Sequence, residues 1–395
     1  MSFKDLLDKY KNGTASEEEK KLIEEELHKH EAIEEYLSES YDIGFERETL
    51  QENINNETTF VKRSVNKKLR KVILVSVAIV FLILFGTYYV VSPIVSSFYY
   101  NPSQKTVGKY NEDLFYDLRV FTELNLPGYA ITGAGSENLG FGVHDIYFQR
   151  KNLFNGEAKD VTAKIKRDTR RGTWQDFFAK DYLGFMYIRF SNSNPKKNQF
   201  IEKSNEEVIS HIKKLNPVSY ISSNVIFKKD LSVSEFEELR KKYSDKVSFK
   251  WAGVRTKSKD DPYSYLSGFN PNFNDGLVTG DSADKNKYPY LELVDYISDE
   301  GNRKKFNGSF VEAYTKHFTS LLRYMNNRQK SVKVLDSSSV KAEYYKNALN
   351  YVEKNGINIY GVLIYSEAGE LLEFINNENI ESIEINNVLP SKYIN

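Results

Sequence analysis

Few side chains in this sequence are of the kinds that do chemistry. His28, His30, His144, His211 and His317 are its only histidines, and there is no cysteine in 395 residues. His28 and His30 are two apart in a helical segment. They project about 200° from each other and cannot hold one ion from one face. Without a thiolate nearby, a zinc site there lacks ligands. His317 falls on an apolar stripe with Phe310, Tyr314, Phe318, Leu321 and Met325, the setting of a core or boundary histidine. Gly133-Ala134-Gly135 with Gly140 and Gly142 does not make the GxGxxG spacing of a dinucleotide loop, so these read as turn glycines. Asn270 to Gly276 resembles a calcium loop, but its glycine is one place late and the bidentate glutamate is missing. A solvated loop is the better reading there, with Asp281 and Asp284 left as candidates for an irregular site. No GxSxG, HExxH or Walker A motif occurs. The expectation is a protein that is not an enzyme, with no metal and no cofactor.

The elements that must position these residues are organised by one apolar run. Val72 to Val91 reads VILVSVAIVFLILFGTYYVV and carries no charged side chain. As a helix it is about 30 Å long, one hydrocarbon core. Lys62, Arg63, Lys67, Lys68, Arg70 and Lys71 precede it, and Ser92 to Gln104 holds no basic residue. The positive-inside bias puts the N-terminal piece in the cytoplasm and the C-terminal piece outside. Tyr88, Tyr89, Phe98, Tyr99 and Tyr100 suit an outer aromatic belt. A cleaved signal peptide begins nearer the N-terminus, and a buried core helix shows polar positions on one face.

Net charge is zero, which removes any overall basic pull toward nucleic acid. The balance conceals an asymmetry. Residues 1–60 hold seventeen acidic side chains against seven basic ones, and the next eleven hold six basic ones suited to an anionic leaflet. Absence of cysteine excludes disulfides, and the C-terminal piece is large enough to fold without them.

Before the span, Phe3, Leu6, Leu7 and Tyr10 share one helical face that Asn12-Gly13 ends. Ser16-Glu17-Glu18-Glu19 is a capping box. It opens a second helix with Ile23, Leu27, His30, Ile33 and Leu37 in one stripe, widened by Leu22, Ala32 and Tyr36. Two such helices have too little core to stand alone, so their apolar faces call for a partner or for a further helix over Thr49 to Leu69. After the span, Asn101 to Lys109 reads as a linker and Ser191 to Asn198 as a break. Strands are expected at Gly128–Thr132, Val143–Gln149, Asp160–Ile165, Phe185–Phe190, Val218–Lys228, Val247–Arg255, Ile359–Tyr365 and Ile380–Val388. Helices are expected at Glu206–Leu215, at Val233 to about Tyr243 behind a cap at Ser232, at Phe310–Met325, from about Ser338 to Asn355, and briefly after Tyr365. Lys257 to Pro289 reads as a long polar loop. This mixed order predicts an α+β region. The fold class expected is a short all-α cytoplasmic helical hairpin, one transmembrane helix and an α+β extracytoplasmic region.

LLDKYKNGTASEEEKKLIEEELHKHEAIEEYL resembles the cytoplasmic sigma-binding domain of membrane anti-sigma factors. Where that family carries a His-x3-Cys-x2-Cys zinc motif, this sequence has Glu24, His28 and Glu31, so it looks like a zinc-free variant. Asp117–Gly133, Val247–Thr256, Ser267–Phe273 and Ile359–Phe374 resemble the sigma factor regulator domains of low-GC Gram-positive bacteria. The resemblance implies a cytoplasmic sigma-binding domain at 1–48 and a juxtamembrane segment at 49–71. The transmembrane helix takes 72–91, followed by an extracytoplasmic regulator N-terminal region at 92–195 and a regulator C-terminal domain at 196–395. It implies an extracytoplasmic function sigma factor as partner, bound through Leu6, Leu7, Tyr10, Ile23, Leu27, Ile33, Tyr36 and Leu37, with no direct contact to nucleic acid. The lipid bilayer is a second partner, and a second membrane protein or a site protease would relay the signal. Two other classes stay open: a membrane-tethered surface module docked on a non-sigma protein, and a tethered hydrolase, which the missing nucleophile and metal motifs disfavour.

Overall fold

A computed structural model describes residues 7, 9–40, 54–172, 195–258, 266–272, 282–294, 309–335 and 340–392. Leu6, the strand expected at Phe185–Phe190 and most of the calcium-like loop lie outside the described residues, as does the side chain of Leu37. The chain divides into two compact units, Met1–Phe81 and Leu82–Asn395.

In the first unit, helix α1 spans Glu17–Ser40. Helix α2 runs without a break over Ile54–Gly86, so the amphipathic segment expected up to Leu69 and the apolar run are one helix. A π-helical turn at Thr87–Val91 and a short helix α3 at Ser92–Ser97, both within the second unit, continue it. One helical stretch, Ser64–Ser97, is long and apolar enough to cross a membrane, and its most apolar window is not buried by other parts of the protein. Side chains such as Leu74, Phe81, Leu82 and Ile83 are well over half exposed, an apolar surface whose natural solvent is lipid.

The second unit is α+β, as its mixed pattern predicts. Helix α4 spans Asp113–Asn125. Strands β1 (Tyr129–Gly140), β2 (Val143–Asn152), β3 (Ala158–Lys166) and β4 (Thr169–Gly172) form an antiparallel meander in chain order. After helix α5 (Pro195–Ile212) comes a second antiparallel sheet. Its strands are β5 (Tyr220–Ser232), β6 (Val247–Val254), β7 (Gly268–Phe269), β8 (Asn358–Glu367) and β9 (Ile380–Leu389). They lie in the order β7-β6-β8-β5-β9. Helices α6 (Val233–Lys242), α7 (Phe310–Asn327), α8 (Gln329–Leu335), α9 (Val340–Asn355) and α10 (Ala368–Asn377) complete the unit. Central strands β5 and β8 are nearly continuous runs of buried residues, because both faces of the sheet are covered.

Three expectations are corrected. Asn101–Lys109 is no free linker: Val107 is buried, and Thr106 and Val107 donate hydrogen bonds to the Asp113 carboxylate. The break expected at Ser191–Asn198 gives way to a helix whose first residue is Pro195, where a missing N–H costs nothing. Segments 92–195 and 196–395 share one core: Phe121, Ile131 and Ile146 pack in the same cluster as Val225, Phe249, Phe318 and Val362.

Candidate functional site

Helix α1 is built to present its side chains. The Ser16 N–H donates to Glu19 Oε2 at 2.9 Å and the Glu19 N–H to Ser16 Oγ at 3.2 Å, the reciprocal capping box read in the sequence. That backbone bond and Lys9 hold the Glu19 carboxyl below its ordinary pKa. Lys9 reaches Glu19 at 2.9 Å, and the Tyr10 hydroxyl donates to Glu24 at 3.4 Å, folding the first turn back on α1. Ile23, grouped with the partner anchors in the sequence, is fully buried, along with Ala15. Leu7, Tyr10, Leu22, Leu27, Ile33 and Tyr36 are exposed, from 36% at Leu7 to 71% at Tyr36. His28 and His30 are exposed on the same helix, and the described residues contain no group of three His, Cys, Asp or Glu fit to hold a metal ion.

At the far end of the apolar helix, two serine side chains of α3 hold the backbone of the β1–β2 turn. Ser92 Oγ accepts the Phe141 N–H at 2.8 Å and Ser96 Oγ accepts the Gly142 N–H at 2.9 Å. Gly140 and Gly142 have φ of 85° and 73°, and a Cβ on Gly142 would strike the Tyr99 ring. The turn expected for these two glycines is present, whereas Gly133 and Gly135 lie within β1. Gly135 is there because the Tyr147 ring covers it.

Behind this turn lies a buried ionic cluster. Arg328 donates to Asp117 through Nε and a terminal nitrogen, both at 2.9 Å, and to Asp113 at 3.1 Å. The Tyr100 and Tyr324 hydroxyls each donate to Asp117 at 2.7 Å. Both carboxylates are fully buried. Burial opposes the charge on Arg328, but Asp117 and then Asp113 outweigh it and raise the guanidinium further. Burial and the Asp117 charge push both phenols well above their usual range. A buried charge cluster of this kind fixes geometry more than it adds stability. Here it ties Tyr100, three residues past the end of α3, to α4 and to the loop after α7.

A third polar group lines a small cleft of about 80 Å³. His317, buried as its stripe predicts, meets Glu123 Oε1 at 2.8 Å with Nε2 and the Tyr290 carbonyl at 2.7 Å with Nδ1. Burial lowers the imidazole pKa, but the Glu123 carboxylate and the Tyr290 carbonyl together leave it raised. Burial also raises Glu123, but the charge and hydrogen bond of His317, the Asn270 N–H and Arg119 together leave it lowered. Arg119 pairs with Glu292 at 2.8 Å across the same cleft. Among the described residues of the cleft, His317 is paired with Glu123 and Arg119 with Glu292, while the buried Thr122 hydroxyl has no hydrogen-bond partner.

Sequence reading missed Asp113, Asp117, Glu123 and Arg328. A signal existed for two of them: Asp113 and Asp117 are four apart on one face of a helix whose neighbours Leu114, Phe115, Tyr116 and Leu118 are core types. Arg328 gives no local sign, because its partner Asp117 is 211 residues away.

Compared with known proteins, this α+β unit behind one apolar helix matches a family. Residues 212–387 match the family model described as Sigma factor regulator C-terminal. The match runs from the end of α5 to near the end of β9 and takes in all five strands of the second sheet. No curated protein and no solved structure matches the chain. The family supports a role in regulating a sigma factor and implies a sigma factor as partner. His317 and Arg328 lie inside the matched segment, and the carboxylates they bind, Asp113, Asp117 and Glu123, come from α4 outside it.

Proposed function

We propose that this protein is a single-pass membrane anti-sigma factor. Its N-terminal helices lie in the cytoplasm and hold an extracytoplasmic function sigma factor away from polymerase, and residues 92–395 lie outside and control its release. What carries the reading is the regulator match at 212–387 in one chain with a single apolar helix and an N-terminal helix whose apolar stripe is exposed. The basic residues before the span favour this orientation.

The chemistry is binding, without catalysis. Leu7, Tyr10, Leu27, Ile33 and Tyr36 fill apolar surface on the sigma factor, as buried aromatic and aliphatic anchors do at such interfaces. The acidic faces of α1 meet basic sigma surfaces, which speeds association and makes it salt-sensitive. Release follows either proteolysis near the span or engagement of a second membrane protein by the outer unit.

The test is capture of the tagged full-length protein from detergent-solubilised membranes, with partners identified by mass spectrometry. One sigma factor is recovered with the native chain and lost with Leu27→Ala/Tyr36→Ala. Failure to recover any sigma factor with a folded, membrane-inserted protein overturns the reading.

A further inference from the structure

The membrane reading leaves one cavity unexplained. A cleft of about 600 Å³ opens beside α3, and among the residues lining it are Ser92, Ser96, Tyr99, Gln104, Arg328 and Lys330. It begins one residue past the apolar run. From Ser92 to Tyr99 is about 10 Å of helix, and the headgroup layer extends about 5–8 Å beyond each side of the hydrocarbon. The inner part of the cleft, at Ser92 and Ser96, therefore sits at headgroup depth and its outer part at the water-facing edge of that layer, with exposed Ile94 on the same stretch of chain suited to the acyl boundary.

Its polarity is one-sided. Among the described residues, the lining contains two cations and no carboxylate. The charge of Arg328 is balanced from behind by Asp113 and Asp117. Lys330 is exposed, and its ammonium donates to the carbonyls of Ser97 at 3.0 Å and Tyr99 at 3.4 Å. Those acceptors are neutral, so Lys330 is the one charge at the mouth of the cleft that no carboxylate of the described lining pairs with, although the buried cluster behind it carries one more carboxylate than cations. The Ser92 and Ser96 oxygens already accept backbone N–H bonds, which leaves their own hydrogens to donate. Donors, an unpaired ammonium at the mouth and a volume in the range of small-molecule sites suit an acceptor-rich anion.

From this we propose that the cleft binds the phosphate of an anionic phospholipid headgroup from the leaflet at the C-terminal end of the span. The site rests on the membrane reading above. A bound headgroup bridges Lys330 and the end of the membrane helix, so the composition of that leaflet bears directly on the joint between helix and regulator.

The experiment uses the full-length protein with the inner basic cluster neutralised (Lys67→Gln, Lys68→Gln, Arg70→Gln, Lys71→Gln), because that cluster attracts anionic lipid on its own. The protein is reconstituted in nanodiscs of equal parts phosphatidylglycerol and phosphatidylcholine. Lipid retained on release is then counted by native mass spectrometry. Phosphatidylglycerol is retained in preference, and Lys330→Glu lowers that retention about fivefold or more. Lys330→Gln lowers it less, and Lys354→Glu, on the exposed side of α9, leaves it unchanged. Thermal unfolding of the four proteins stays the same. Equal retention with Lys330→Glu overturns the proposal. So does displacement by millimolar inorganic phosphate with no preference between the two lipids, which assigns the cleft to free phosphate. Extraction of the native protein by alkaline carbonate sinks the membrane reading itself, a result separable from the other two.

Discussion

Helices α1 and α6 begin with the same device. Ser16 and Glu19 bond reciprocally at the start of α1, and Ser232 and Glu235 do so at the start of α6. After that the two diverge. Helix α6 buries Val233, Phe236 and Leu239 in the core of the second unit. Helix α1 buries Ile23 and leaves Leu22, Leu27, Ile33 and Tyr36 open. A capping box satisfies orphan N–H groups and sets where a helix starts. It carries no information about whether the chain supplies a surface for the apolar face. The α6 face is covered within its own unit, and on the proposed reading the α1 face is covered by the sigma factor.

The strongest way to break this contrast is to damage the self-sufficient side. Arg328→Ala leaves Asp113 and Asp117 buried without their cation and lowers the stability of the outer unit by about 3–5 kcal/mol. Denaturant unfolding of the full-length protein in detergent measures it, and sigma binding before unfolding is unchanged if the two sides are independent. On the incomplete side, Leu27→Ala/Tyr36→Ala weakens sigma binding by about 2–4 kcal/mol, read by titration calorimetry, with no change in outer-unit unfolding. Gly142→Ala places a side chain at positive φ against Tyr99 and costs about 1–2 kcal/mol. Loss of protection at the Gly142 amide in hydrogen exchange checks it.

The two caps sharpen the comparison at lower amplitude. Ser232→Ala lowers outer-unit stability by about 1 kcal/mol. Ser16→Ala leaves that stability untouched and lowers helix content and sigma affinity instead. Finest of all is pH. His317 has a raised folded pKa, so its pairing stabilises fully below the unfolded histidine value of about 6.5 and is lost as pH rises through the raised value. Glu123 has a lowered one, so its share is present above about 4.3 and is lost as pH falls through the lowered value. His317→Gln flattens the alkaline limb of the stability profile of the outer unit. An unchanged profile refutes the pairing.

The sequence by itself determined what depends on neighbouring residues. The apolar run, both capping boxes, the alternation in β9 and the helical spacing of α7 are periodic or local, and four of the five strands of the second sheet follow from such patterns, whereas β7, inside the segment read as a loop, and α8 do not. His317 was legible as a buried residue for the same reason. The five-stranded order and the shared core of the segments on either side of residue 195 came only from tertiary packing, because antiparallel neighbours such as β6 and β8 are far apart in sequence. Tertiary structure also decided that the stretch after the span is anchored. Thr106 and Tyr100 are ordinary residues until Asp113 and Asp117 reach them, and those carboxylates are affordable in the interior only because Arg328 arrives from far along the chain. A charge can be read from its letter, but its burial depends on a partner that no local pattern reveals.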